Sequence, residues 1–163
     1  MEKVWEKESQ KKVVDPNSLE EWVKEIRRQK KTIATLNGTF DLLHAGHLHM
    51  IYEAKKQADI LIIALNSDSS IRRNKGKKRP IIPLPFRLQM IAALKFVDFV
   101  TYFEEEDPRQ ILSCIRPDVH VNGEEYGENC IEAPIVHSFK GRLHIVKKIV
   151  GLSTSEIIKK IKS

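Results

Sequence analysis

Two histidines, His44 and His47, lie on either side of Gly46 in the stretch LNGTFDLLHAGH, which covers residues 36–47. At positions i and i+3 of a helix, their rings project from the same face. The N-terminus of a helix also attracts anions, because its first backbone N–H groups have no partner inside the helix. Since glycine lets the backbone approach a ligand closely, we predict that His44, Gly46 and His47 bind a phosphate chain.

Other uses of these histidines fit the sequence less well. A zinc site needs further ligands, and neither a carboxylate nor a cysteine lies at a matching local spacing. His49 is left out because it lies one step round the helix from the pair. The chain lacks the GxxxxGK[ST] and GxGxxG patterns of P-loop and dinucleotide-binding proteins, which disfavours ATPase and hydride-transfer functions. A purely structural role for the histidines remains the alternative.

A second feature with chemical meaning is a run of basic residues around Gly76. It consists of Arg72, Arg73, Lys75, Lys77, Lys78 and Arg79, in a chain of formal net charge +6. We interpret this basic segment as a loop that clamps phosphates. A solvated charge run and a nucleic-acid site are the alternatives. Because aromatic side chains for base stacking are absent from Ile71 to Arg79, nucleic acid is not the expected partner.

The composition is that of one folded domain. The chain has 163 residues, of which 41% are hydrophobic and 31% charged, and this length suffices for a single core. No apolar run approaches the roughly 20 residues that cross a bilayer, and the first residues lack the apolar core of a signal peptide. We therefore expect a cytoplasmic protein without a membrane partner. Cys114 and Cys130 are expected to be reduced thiols.

Hydrophobic patterns predict the elements that position these residues. Residues 1–17 are predicted as a flexible lead-in and residues 18–163 as the domain. Capping boxes of Ser18 with Glu21 and of Ser153 with Glu156 predict the first and the last helix. Between them, helical spacing separates the runs that predict strands, which lie at 32–36, 60–65, 96–102, 119–121 and 143–149.

Strands that alternate with helices predict an α/β fold, namely a Rossmann-like doubly wound parallel sheet of about five strands in a single domain. Ligands of such sheets bind beyond the carboxyl ends of the strands. The unusual segments of this sequence follow predicted strands at that end, at 37–47, 66–79, 122–126 and 151–156. We therefore expect one pocket that gathers them.

These segments resemble a known family. Gly38-Thr39-Phe40-Asp41-Leu42-Leu43-His44-Ala45-Gly46-His47 is similar to the GxFDxxHxGH signature of the cytidylyltransferase-like nucleotidyltransferases, and Gly151-Leu152-Ser153-Thr154-Ser155 is similar to their closing GxSTT motif. Asn66-Ser67-Asp68, Lys75-Gly76, Arg79-Pro80 and Arg87 are most similar to the branch that adenylylates D-glycero-β-D-manno-heptose 1-phosphate. Thr39 departs from the cysteine that is frequent in that branch.

The resemblance implies transfer of AMP from ATP to the heptose phosphate, which gives pyrophosphate and ADP-heptose, a precursor of the lipopolysaccharide core. It assigns catalysis to His44, His47 and Lys75, and it assigns nucleotide or phosphate binding to a larger set. That set is Thr39, Phe40, Asp41, Gly46, Asn66, Asp68, Arg79, Arg87, Gly123, Glu124, Ser153 and Thr154.

The resemblance also implies partners. Mg²⁺ is expected with ATP, without a direct protein ligand and with Asp41 acting through water. A homodimer and a sugar kinase on a separate chain are expected as well. One alternative is a cytidylyltransferase for glycerol 3-phosphate or another polyol phosphate, which Lys148 disfavours because that branch carries arginine there. The other is a non-catalytic module that binds nucleotide or nucleic acid.

Overall fold

A five-stranded parallel sheet forms the centre of the molecule. The structure is a computed structural model that describes residues 4–149 and 153–163. Its strands follow the order β3-β2-β1-β4-β5, and every neighbouring pair is parallel. The predicted α/β fold with a doubly wound parallel sheet is confirmed. The strands are β1 Ile33–Gly38, β2 Ile60–Asn66, β3 Phe99–Phe103, β4 Val119–Gly123 and β5 Arg142–Val146.

Eight α-helices connect or flank these strands within the described ranges. None of them is both long and apolar enough to cross a membrane. They are α1 Val4–Gln10, α2 Leu19–Arg28, α3 Ala45–Lys55, α4 Asp68–Lys75, α5 Leu84–Ala92, α6 Arg109–Ile115, α7 Ala133–Ser138 and α8 Thr154–Lys162.

The sheet is covered by an apolar layer on each face. On one face, the strands pack with α3 and α5 through residues that include Leu36, Ile63, Val121, Ile51 and Ile91. On the other face, they pack with α2, α6 and α7 through residues that include Ile33, Ile62, Val23, Leu112 and Val136. Strands buried on both faces have continuous apolar sequences, which explains why β2 lacks alternating polar positions.

The winding of the chain reverses at β1. After β1 the chain moves outward to β2 and β3, and it then returns to β4 on the other side of β1, so that Leu36 pairs with both Ile63 and Val121. The carboxyl ends of β1 and β4 therefore border a crevice, which is where open α/β sheets bind ligands. Asn37-Gly38 and Asn122-Gly123 end these two strands.

The N-terminal segment differs from the flexible lead-in predicted for residues 1–17. Val4–Gln10 is helical, and the backbone N–H of Val14 donates to the carbonyl oxygen of Val100 in β3. Val14 is buried, and Lys12 donates to two carbonyl oxygens that follow α5. The difference arises because contacts with the rest of the molecule hold a segment whose own sequence has no helical or strand period.

The basic segment is also more regular than predicted. Its first part belongs to α4, because Ser67 caps that helix by accepting a hydrogen bond from the N–H of Ser70. The helix ends at Gly76, whose φ of 84° suits glycine. The capping box predicted for Ser18 and Glu21 is not formed, because Ser18 adopts a helical conformation and makes no side-chain capping bond. The turn Pro16–Ser18 is capped by Asp15 instead.

Candidate active site

A cavity of about 440 Å³ opens at the carboxyl ends of β1 and β4. Its wall is formed by the loop after β1, the start of α3, the ends of β2 and α4, the loop after β4, the residues after β5 and the start of α8. The sequence segments that we expected to meet therefore do meet. Gly151 and Leu152 of the closing motif lie outside the described residues.

The two predicted histidines stack against each other at the N-terminus of α3. The ring centroids of His44 and His47 are 3.8 Å apart with an interplanar angle of 27°, and both residues line the cavity. Phe40, which is buried, packs against His47 with its centroid at 5.2 Å. Gly38 leaves room for this phenyl ring, since a Cβ there would lie 3.1 Å from it. The packing holds the imidazole rings in place.

Hydrogen bonding and burial together determine the tautomer and the charge of His47. Its Nδ1 atom accepts a hydrogen bond of 3.3 Å from the backbone N–H of His44, so the hydrogen of the neutral ring lies on Nε2. Burial lowers the pKa of His47 to about 4, and the nearby His44 and Lys75 act in the same direction. At neutral pH, His47 is therefore an uncharged donor. Burial, followed by Lys148, also lowers the pKa of His44.

Two more segments bring donors to the same side of the cavity. Ser153 caps α8, because its Oγ accepts a hydrogen bond from the N–H of Glu156, and this cap was predicted. The Nζ atom of Lys75, at the end of α4, lies 3.5 Å from the Oγ1 atom of Thr39. Together with the histidine pair, these groups form a donor side of the cavity that suits a phosphate chain.

Asp41 does not line the cavity, although Thr39 and Phe40, which precede it, do. Its carboxylate is fully buried and accepts hydrogen bonds from the backbone N–H groups of Ile81 and Ile82 and from the Nε atom of Arg79 at 2.5 Å. Burial alone would raise its pKa, but these donors together lower the pKa of Asp41. These donors occupy both oxygens of Asp41. Because they belong to Arg79 and to the residues just after it, Asp41 fixes the end of the basic segment.

Arg87 is likewise a buried clamp rather than a phosphate ligand in this structure. It is fully buried, and its Nη1 atom donates to the carbonyl oxygens of Thr39 and Asn66, at 2.7 and 2.9 Å. Its Nη2 atom pairs with Asp68 at 2.7 Å, and its Nε atom donates to Ile82. Arg87 thus joins the ends of β1 and β2 to the start of α4, so that it positions the cavity wall.

The structure divides the predicted site residues into two groups. Those that line the cavity are His44, His47, Lys75, Thr39, Phe40, Gly46, Asn66, Gly123, Ser153 and Thr154. The remaining ones, Asp41, Asp68, Arg79, Arg87 and Glu124, make hydrogen bonds with other parts of the protein. Glu124, which was predicted to bind nucleotide or phosphate, accepts a hydrogen bond from the backbone N–H of Lys148. Direct binding roles for this second group stay predictions without support from the geometry.

Several residues of the wall were not among the predicted site residues. They are Asn37, His49, Asn74, Asn122, Glu125, Tyr126, Glu132, Lys147, Lys148 and Ser155, with Leu36, Met50 and Ile149 as the apolar part. A position directly after a strand could have indicated Asn37 and Asn122. His49, which was not among the predicted site residues, also lines the cavity. No sequence signal marks Glu132, which follows β4 by nine residues.

Metal ligands are not gathered in this part of the molecule. Among the residues that the structure describes, no group of three or more His, Cys, Asp or Glu side chains could hold a metal ion. For an anionic ligand, the donor side of the cavity offers imidazole, ammonium, hydroxyl and backbone N–H donors.

Comparisons with known proteins agree with this geometry. The bifunctional protein HldE of Syntrophotalea carbinolica is 39% identical over 145 residues, which are 88% of this chain and 30% of that protein. HldE of Geobacter metallireducens is 42% identical over 138 residues, which are 84% and 28% of the two chains. This chain therefore spans about a third of the length of the curated relatives that it matches.

Two solved structures share the fold. A lipopolysaccharide core biosynthesis protein from Thermoplasma volcanium is 31% identical with a TM-score of 0.58, over 73% of this chain and 97% of that one. A pantoate-beta-alanine ligase from Francisella tularensis is 14% identical with a TM-score of 0.61, over 92% of this chain and 76% of the ligase.

The sequence profile of the cytidylyltransferase-like family matches residues 35–160. The matched region contains the stacked histidine pair, the clamped basic segment and the capped closing helix. The predicted family is thus confirmed, and the chain belongs to the cytidylyltransferase-like family.

Proposed function

We propose that this chain is a nucleotidyltransferase that moves AMP from ATP onto a sugar 1-phosphate. The observation that carries the proposal is the stacked pair of His44 and His47, which lines the cavity together with Lys75 and the start of α8. Among sugar phosphates, D-glycero-β-D-manno-heptose 1-phosphate is the best candidate. The resemblance of residues 66–87 supports it, and the similar Thermoplasma volcanium protein is described as acting in lipopolysaccharide core biosynthesis.

The reaction needs positioned donors more than it needs a base. An oxygen of the sugar phosphate attacks the α-phosphorus of ATP, the bond from that phosphorus to the bridging oxygen breaks, and pyrophosphate leaves. The nucleophile is already mostly ionised near pH 7, because the second pKa of a phosphate monoester is about 6. A neutral His47 fits this scheme, since it donates to the phosphate oxygens whose charge grows in the transition state.

In this proposal Mg²⁺ enters as part of the substrate, bound to the phosphates of ATP. Asp41, which the sequence suggested as a water-mediated helper, has both carboxylate oxygens engaged by protein donors. The phosphates therefore supply the anionic ligands of the ion. The donor side of the cavity interacts with the negative charge that the ion does not neutralise.

A pyrophosphate-release screen tests the proposal. ATP, CTP and GTP are each combined with the heptose 1-phosphate, other sugar 1-phosphates and glycerol 3-phosphate in the presence of MgCl₂. We expect the highest rate with ATP and the heptose 1-phosphate. Highest turnover with CTP would reassign the nucleotide, and absence of pyrophosphate from every pair would overturn the proposal. Salt-sensitive binding of oligonucleotides without turnover would favour a binding module instead.

The same proposal includes a homodimer and a sugar kinase on another chain. Analytical ultracentrifugation of the purified chain tests the first point, because a dimer has twice the mass of 18.8 kDa. A mass that stays at 18.8 kDa over the working concentration range would contradict it.

A further inference from the structure

Glu132 is a buried carboxylate at the cavity wall that has no part in the chemistry described so far. It directly precedes α7, is only 5% exposed and lines the cavity. The Nδ2 atom of Asn122, at the end of β4, donates to its Oε2 atom at 3.3 Å. Within residues 4–149 and 153–163, no lysine or arginine forms an ion pair with it.

The carboxylate of Glu132 has unused capacity to accept hydrogen bonds. An ionised carboxylate offers about four acceptor sites, and Asn122 fills one of them. A buried charge is unfavourable unless it is paired and hydrogen-bonded. Since Glu132 borders the cavity, a ligand there can supply the missing donors.

Two amide side chains of the same cavity wall, those of Asn122 and Asn37, also offer acceptor atoms. Because Asn122 directs its Nδ2 atom at Glu132, its Oδ1 atom remains an acceptor. On the paired strand, the Oδ1 atom of Asn37 is buried and has no hydrogen-bond partner within the described residues. These acceptors contrast with the donors His47 and Lys75 of the same cavity. The cavity therefore fits a ligand that carries both an anionic group and hydrogen-bond donors.

We propose that Glu132, oriented by Asn122, accepts hydrogen bonds from two adjacent hydroxyl groups of a ligand ring and so determines specificity. The inference rests on the proposed function, because both of its substrates carry such hydroxyls near a phosphate. They are the ribose of ATP and the ring of the sugar phosphate. Two carboxylate oxygens match two neighbouring hydroxyls, as an acidic residue matches the ribose 2′-hydroxyl in dinucleotide-binding folds. A phosphate at this position would be repelled.

Isothermal titration calorimetry on the full chain distinguishes the two sources of hydroxyl groups. The probes are ATP, 2′-deoxy-ATP, 3′-deoxy-ATP, the heptose 1-phosphate and its 2-deoxy analogue, and the variant is Glu132→Gln. If Glu132 binds the ribose, the affinity for ATP is about 10- to 100-fold lower in the variant than in the wild type. A deoxy-ATP that already binds the wild type weakly should bind the variant with little further loss of affinity. If Glu132 binds the sugar instead, the variant keeps the wild-type affinity for ATP, and its affinity for the heptose phosphate falls by the same factor.

Glu128→Gln is the matched control, because Glu128 is an exposed carboxylate of the same loop that does not line the cavity. It should leave all affinities unchanged. A folded Glu132→Gln chain that binds ATP and the heptose phosphate within twofold of wild type overturns the inference. If that variant does not fold, the same titrations of Glu132→Asp, and of the wild type with the deoxy ligands, test the inference. Equal binding of all parent and deoxy ligands by wild type also overturns the inference.

This outcome is separable from that of the proposed function. Pyrophosphate release by a Glu132→Gln chain whose affinities match those of wild type would support the reaction and overturn the specificity role. Conversely, affinities that depend on Glu132 in a chain without turnover would support the role and overturn the reaction.

Discussion

The Nδ1 atom of His47 is engaged by the backbone N–H of His44, so the ring presents its Nε2–H group to the cavity. With its pKa lowered to about 4 by burial, the ring is neutral at physiological pH. It can donate to a phosphate oxygen without first losing or gaining a proton. The contribution of this residue therefore lies in the position of one hydrogen-bond donor.

Replacing His47 with alanine should abolish most of the turnover. The loss of one preorganised donor typically costs about 100- to 1,000-fold in kcat. His47→Gln should recover part of that loss, because an amide N–H reaches a similar position. Steady-state pyrophosphate release with ATP and the preferred acceptor measures both effects, and thermal melting verifies that the variants fold.

His137→Ala provides the control for the substitution itself. His137 is exposed on α7 and does not line the cavity, so its removal should leave kcat unchanged. Wild-type turnover in His47→Ala would contradict the donor role. Equal losses in the alanine and glutamine variants would mean that the ring contributes by packing against Phe40.

At the scale of secondary-structure elements, buried ion pairs hold the site together. Asp41, just after β1, pairs with Arg79, and Arg87 of α5 pairs with Asp68 of α4. Arg87 and both carboxylates also bond to backbone groups of other segments. Removal of one partner from such a pair leaves an uncompensated buried charge, which is more costly than the loss of a surface pair.

Asp41→Asn should destabilise the fold by about 2–4 kcal/mol. The amide oxygen can still accept from Ile81 and Ile82, but the amide nitrogen then faces the Nε donor of Arg79. Urea unfolding at pH 7 measures the change, and faster hydrogen exchange at Ile81 and Ile82 would locate it. Glu25→Gln, which removes an exposed pair with Arg28, should leave the free energy of unfolding nearly unchanged. Equal costs for the two variants would contradict the clamp.

The same elements show which features local sequence patterns predict and which features they do not. The spacing of His44 and His47 and the run of β2 are local patterns, and the structure has them as predicted. The helix α4 was missed because a cluster of like charges is typical of a loop, although Ser67 is an N-cap signal. Asp41, Arg87 and Glu132 could not be assigned from spacing, since their roles depend on groups from distant segments.

At the scale of the whole molecule, the order of the strands determines where function lies. The return of the chain from β3 to β4 creates the crevice beside β1. The N-terminal segment lies along the edge of the sheet that β3 forms, where the backbone N–H of Val14 donates a hydrogen bond to this strand. Covering an edge strand prevents its pairing with other chains. This segment therefore covers the β3 edge and leaves the cavity at the carboxyl ends of β1 and β4 open.

Buried histidines should make the stability of the whole molecule sensitive to acid. Burial lowers the pKa of both His47 and His120 to about 4, and for His120 it outweighs the opposing effect of Glu132. Below pH 6.5 the unfolded chain binds protons that the folded chain does not, so the free energy of unfolding falls as pH drops from 6.5 to 4. His120, which is fully buried, should contribute about 2–3 kcal/mol to this fall.

His120→Asn tests this contribution, because an asparagine can still bond to Thr35, the partner of the His120 Nδ1 atom at 2.8 Å. The variant should be less stable at pH 7, since it leaves a cavity, but its free energy of unfolding should fall less between pH 6.5 and 4. Urea unfolding at several pH values measures the slope. His137→Asn, at an exposed position, should keep the wild-type slope. A parallel fall in His120→Asn and wild type would show that the acid sensitivity arises from other groups.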